Sequence, residues 1–158
     1  MRVGRRDMIG GSLALGAAAA FPHRLAAAPG SAALPPAITP AERLGRLAKA
    51  RALMARHGLG AILIEPGASL DYFTGVRWSR SERLTAALIP AVGEPIIVTP
   101  FFEKPSVAES LAIPAEIRTW DEHEEPLRLV ADWLRERRLT TAPLGIEESN
   151  RFFIVDRL

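Results

Sequence analysis

Short uncharged apolar runs, at residues 61–64, 84–89 and 95–99, constrain this chain more than any other feature. Runs that brief, with no polar residue at alternate positions, suit strands covered on both faces and do not suit a sheet with one face in water. Such strands need helices on each side, and the segments between them supply helical patterns. Thr39-Pro40-Ala41-Glu42 has the form of a capping box with proline at the first helical position, and Leu44, Leu47, Ala50 and Met54 fall on one arc before Gly58 stops the helix.

Further along, Glu65-Pro66-Gly67 closes the first strand, and residues 69–74 read as a short helical turn ended by Gly75. Ala91-Val92-Gly93-Glu94 has hairpin length between the second and third runs. Residues 101–111 are helical after Pro105, and 116–120 form a fourth strand of alternating character. Leu127, Val130, Ala131 and Leu134 repeat at helical spacing, with Glu124 and Arg128 placed to pair on the other side, and 144–146 gives a fifth strand. The expected fold is a three-layer α/β domain with a mixed sheet flanked by helices. Residues 151–158 open a further helix, capped by Ser149 or Asn150, whose Phe152, Phe153, Val155 and Leu158 call for more chain to pack against.

The 158 residues carry a formal net charge of +2, and residues 1–33 hold four arginines against Asp7, leaving sixteen basic and seventeen acidic groups in the remainder. The basic excess belongs to that leader, so the body lacks the cationic stripe that nucleic-acid binding requires. Arg5 and Arg6 precede an apolar run from Met8 to Phe21, which is signal-peptide anatomy resembling a twin-arginine signal, with the general secretory route as the alternative. The run is shorter than the roughly 20 residues a membrane helix needs, so no stable span is expected. Small residues at 26–28 and at Ser31 and Ala33 leave the cleavage site open. The expected organisation is a signal peptide over 1–33, a linker over 34–39, a domain over 40–150, and the start of a connecting helix over 151–158. The expected location is outside the cytoplasm, periplasmic or secreted.

The runs GLGAILIEPGASLDYFTGVRW, RSERLTAALIP, GEPIIVTPFFE and GIEESNRFFIVDRL, taken in order, resemble the N-terminal domain of Xaa-Pro aminopeptidases, prolidases and creatinases. The resemblance covers residues 41–158, and its most specific pieces are Leu70-Asp71-Tyr72-Phe73-Thr74-Gly75 and the turn at Gly145-Ile146-Glu147. It implies a creatinase/prolidase-like N-terminal domain preceding a second, pita-bread domain. In that family two Asp, one His and two Glu of the second domain bind two divalent metal ions (Mn, Co or Zn) that activate a water against the bond before proline. Those ligand motifs do not occur in this sequence, so the chain is expected to be inactive alone, its catalytic domain absent. The resemblance also implies homodimers or larger homo-oligomers, a proline-containing peptide substrate, and an N-terminal domain that overhangs a neighbour's active site.

The segment GVRWSRSER, residues 75–83, is the natural place for such a contact. Arg77, Trp78 and Arg80, with Tyr72 behind them, are the candidate substrate-binding residues in trans, since guanidinium planes and an indole hold a carboxylate or stack on a proline ring. The plain alternative is a solvated loop with its aromatic packed on its own domain. Asp121, Glu122, His123, Glu124 and Glu125 look like metal ligands, yet acids ahead of a helix chiefly complement its dipole. His57 suits a helix C-terminus, and Glu147 and Glu148 suit the start of the last helix. A stand-alone exported binding or oligomerisation module, a membrane-attached protein with an uncleaved leader, and part of a creatine amidinohydrolase are the competing functions.

Overall fold

Thr39 fixes where the folded part of the chain begins. In the computed structural model, which describes residues 34–158, its Oγ1 accepts from Glu42 N at 3.2 Å, and α1 runs Pro40–His57 with proline in the first turn. Gly58 ends the helix in the left-handed region at φ 66°, its N–H turned back on the last carbonyls. The leader read over residues 1–33 lies outside the described residues. Residues 34–39 are exposed and carry no regular structure.

Five strands follow: β1 (Ala61–Ile64), β2 (Ala86–Pro90), β3 (Ile96–Pro100), β4 (Glu116–Trp120) and β5 (Leu144–Ile146). They form one sheet in the order β4-β3-β2-β1-β5. β2 is antiparallel to both β1 and β3, whereas β4 is parallel to β3 and β5 parallel to β1, so the sheet is mixed. The three uncharged runs occupy its centre, and β2 and β3 are buried at every position. The edge strands β4 and β5 are partly exposed.

Side-chain alternation divides the core into two. Leu63, Leu88, Ile96 and Val98 pack with Leu127, Val130 and Trp133 of α4 (Pro126–Glu136) and with Ile154 of α5 (Phe152–Arg157). Ile64, Ala87, Ile89 and Ile97 pack with Leu47 of α1, Leu70 of α2 (Ala68–Thr74) and Val107 of α3 (Lys104–Ser110), which follows a short 3-10 turn at Phe101–Glu103. The three-layer architecture follows, and each fully buried Leu or Ile contributes about 2 kcal/mol of transfer free energy.

Four sequence expectations need correction. On α1 the inward stripe passes through Arg43, Leu47 and Met54, while Leu44 is half exposed. The second strand begins at Ala86, two residues after the start of its apolar run. Glu124 does not pair with Arg128; its Oε2 accepts from Asp121 N at 2.8 Å and closes the turn ahead of α4. Neither Ser149 nor Asn150 caps α5, whose N-cap position is Arg151 without a side-chain cap; Asn150 Oδ1 accepts from Glu147 N instead. Residues 151–158 lie within the compact unit Pro36–Leu158, and Ile154 is fully buried in its core.

Candidate functional site at the carboxyl end of the sheet

Strand directions place the chemistry-bearing segments together. The carboxyl ends of β1, β3, β4 and β5 and the amino end of β2 lie at one end of the sheet. Ligand crevices of open α/β sheets form at this kind of edge. Here it gathers the Glu65 turn, the loop before β2, Phe101 and Phe102, the acidic segment 121–125, and residues 147–151.

The Leu70-Asp71-Tyr72-Phe73-Thr74-Gly75 motif sets up the loop. Leu70 and Thr74 are fully buried. The Thr74 hydroxyl donates to Leu70 O at 2.6 Å and accepts from Val76 N at 3.1 Å, which aims the chain out of α2. Gly75 makes the turn at φ 88°, and a Cβ there would stand 2.6 Å from Ala112 Cβ and 2.9 Å from Ser110 O. Glycine is required twice over, by backbone conformation and by space.

Beyond Gly75 the candidate residues part company. Arg77 and Trp78 line a shallow open depression of about 340 Å³ with Gly67, Ala68, Asp71 and Ser79. Trp78 is half-buried against the α1–α3 side of the core. Tyr72 is not in that lining: its ring lies under the Arg46 guanidinium, 4.0 Å from Cζ to centroid, and edge-on to Phe73. Arg80 turns the other way, donating to Ser149 O at 3.0 Å and Ser149 Oγ at 3.3 Å. Arg83 donates to Glu122 at 2.9 Å and lies over the Phe102 ring. The hydrogen bond to Glu122 raises the Arg83 pKa, against a smaller lowering by desolvation.

The acidic segment is spent on structure. Glu122 binds Arg83, Glu124 closes its own turn, and Glu125 accepts from Arg157 of α5. His123 borders an open depression beside Glu124, Glu125 and Asp132, but among the described residues no group of three or more His, Asp or Glu side chains is arranged to hold a metal ion. His57 is the last residue of α1. Among the described residues no helix is long and apolar enough to cross a membrane.

Sequence reasoning missed Glu65, assigning it to a turn. Its side chain is fully buried and bonded to Arg151. Nothing in the sequence says that this acid is buried or that its base lies 86 residues away.

Comparison with known proteins fits this geometry. The profile of the Creatinase/Prolidase N-terminal domain matches residues 46–158. A probable dipeptidase PepE of Mycobacterium tuberculosis is 37% identical over 99 residues, a match covering 61% of this chain and 26% of that protein. The chain thus spans about a quarter of the length of the curated mycobacterial relatives it matches. The crystal structure of dipeptidase PepE from Mycobacterium ulcerans superposes with a TM-score of 0.61 at 33% identity, over 72% of this chain and 30% of that one. The N-terminal domain of an Xaa-Pro dipeptidase from Lactobacillus brevis gives a TM-score of 0.64 over 70% of this chain and 83% of that one; at 19% identity the likeness is one of fold. The chain belongs to the creatinase/prolidase N-terminal domain family.

Proposed function

We propose that this domain is the non-catalytic N-terminal part of an exported Xaa-Pro dipeptidase- or aminopeptidase-type metallopeptidase, and that it shapes the substrate site of a catalytic domain and takes part in oligomerisation. The observation that carries the reading is the outer face of α5. Phe152 is 78% exposed, and Val155 and Leu158, one and two turns further on, are about half exposed, while Ile154 anchors the opposite side. A row of large apolar groups on one helical face, beside a loop of arginines and an indole, suits a packed neighbour.

In this reading Arg77 and Trp78 face a proline-containing peptide held by the neighbour, with the guanidinium on a carboxylate and the indole against the ring. Arg80 and Tyr72 act from behind, because their side chains are engaged with Ser149 and Arg46. The described residues do not fit a two-metal centre. In this reading the two divalent ions and the chemistry they supply belong to the catalytic domain, and homodimers or larger assemblies bring the parts together. Export rests on the Arg5-Arg6 pair and the apolar run after it, and N-terminal sequencing of the secreted form tests it.

The direct test supplies the catalytic region of a mycobacterial PepE relative with and without this chain and follows proline release from an Xaa-Pro dipeptide. The chain raises kcat/KM by about tenfold through substrate positioning, and Arg77→Ala and Trp78→Ala each remove most of that gain. No gain, or a gain indifferent to both substitutions, rejects the reading.

A further inference from the structure

One buried carboxylate joins three segments of the sheet's carboxyl end. Glu65 follows β1 directly, and its side chain is fully buried, a setting that is costly unless its lone pairs find donors. Oε2 accepts from Arg151 N at 2.9 Å, and Oε1 accepts from Arg151 Nε at 2.7 Å. Arg151 carries the connection onward, since its Nη1 donates to Ser81 O in the loop before β2. Its guanidinium also stands over the Phe153 ring, 4.8 Å from the centroid. Arg80 closes the circuit: Nη2 lies 4.0 Å from Glu65 Oε2, and the same side chain binds Ser149.

Besides this circuit the loop is held through Trp78, packed on the core, and at its far end, where Arg83 donates to Glu122. Residues 77–83 form no helix or strand, and within the loop Ser81 Oγ accepts from Arg83 N at 3.2 Å. Its arginines repel one another, and Glu65 supplies a buried countercharge. The same carboxylate accepts the N–H of Arg151, the residue at the N-cap position of α5, a helix that has no side-chain cap of its own.

We propose that Glu65 is a positioning residue that locks the 76–83 loop to the start of α5, so that the seating of α5 sets the conformation of the loop carrying Arg77 and Trp78. Its relevance to substrate rests on the function proposed above; the lock itself is a property of this chain and is tested without substrate. Coupling of this kind is reciprocal, so loosening α5 must loosen the loop.

Trypsin reads the coupling directly, because Arg77, Arg80 and Arg83 place three cleavage sites in the loop, while Arg51 and Arg128 sit in helices on the two faces of the sheet. Native digestion of the chain, with products identified by mass, compares loop cleavage with cleavage after Arg51 and Arg128. Glu65→Gln raises loop cleavage by about tenfold relative to the helical sites, since cleavage tracks the local opening equilibrium. Ile154→Ala, which loosens α5 without removing any side chain of the lock, raises it similarly, and the double variant goes no further. Loop cleavage unchanged in either variant, or rising only in parallel with the helical sites, overturns the proposal. Should Glu65→Gln not fold, Arg80→Gln decides: cleavage after Arg77 and Arg83 rises about fivefold over the helical sites if the lock exists, and stays at the parent level if it does not. Loss of the peptide effect described above, with these ratios as expected, removes the substrate reading and leaves the lock standing.

Discussion

The Arg43 guanidinium, buried on the inner side of α1, donates from Nη2 to Asp71 Oδ1 of α2 at 2.9 Å, while its Nε and Nη1 are buried without a partner among the described residues. Among the described residues Asp71 is therefore the one side chain that compensates this nearly buried cation, and it does so at the rim of the depression lined by Arg77 and Trp78.

Asp71→Ala leaves that cation unpaired and costs about 2 kcal/mol. This is less than a fully buried pair would lose, because more than a third of the Asp71 side chain is in water. Arg43→Met removes charge and orphaned donors together and changes stability by less than about 1 kcal/mol. Urea denaturation of the three proteins checks the order; an Asp71→Ala variant as stable as the parent contradicts it.

Gly75 and Gly58 both sit at positive φ, 88° and 66°, but they differ in surroundings. A Cβ on Gly58 meets nothing within 4 Å, whereas one on Gly75 meets Ala112 and Ser110 backbone atoms at 3.0 Å or less. Gly58→Ala costs about 1 kcal/mol of backbone strain, and Gly75→Ala costs about 3 kcal/mol or more and displaces the loop that follows. Thermal unfolding of the pair measures the gap, and equal losses at the two positions refute the steric argument.

The edge strand β4 is covered by charge. Arg118 donates to both oxygens of Glu116 and, at 2.7 Å, to Glu136 of α4. The hydrogen bond from Arg118 holds the Glu136 carboxyl below its ordinary pKa. A carboxyl lowered on folding contributes stability that is fully present above the unfolded value of about 4.3 and is lost as pH falls through the folded value. Carboxyl NMR titration of Glu136 gives a midpoint below about 4.3, and Arg118→Gln moves it back up. A midpoint unchanged by that substitution disproves the coupling.

The layers and strands were legible because burial on both faces leaves a signature in composition: the runs read at 61–64, 84–89 and 95–99 lack charge because the strands they overlap, Ala61–Ile64, Ala86–Pro90 and Ile96–Pro100, sit under helices. The α1 boundaries were legible too, since Thr39 and Gly58 act on their nearest neighbours. What sequence hid depends on distant partners. Arg43 and Glu65 look like surface residues until Asp71 and Arg151 are brought to them. Among the candidate site residues, the loop was legible from its arginines and indole. The division of labour within it was not, because nothing local turns Arg80 toward Ser149 while Arg77 and Trp78 flank Asp71.

The function proposed above has this domain hydrolyse nothing by itself and offer the carboxyl end of its sheet to a metal-bearing neighbour. Proline release from an Xaa-Pro dipeptide by the purified chain alone, with Mn²⁺, Co²⁺ or Zn²⁺ added, tests it most directly. A rate indistinguishable from buffer is predicted for all three metals; metal-dependent turnover by the chain alone would contradict the account.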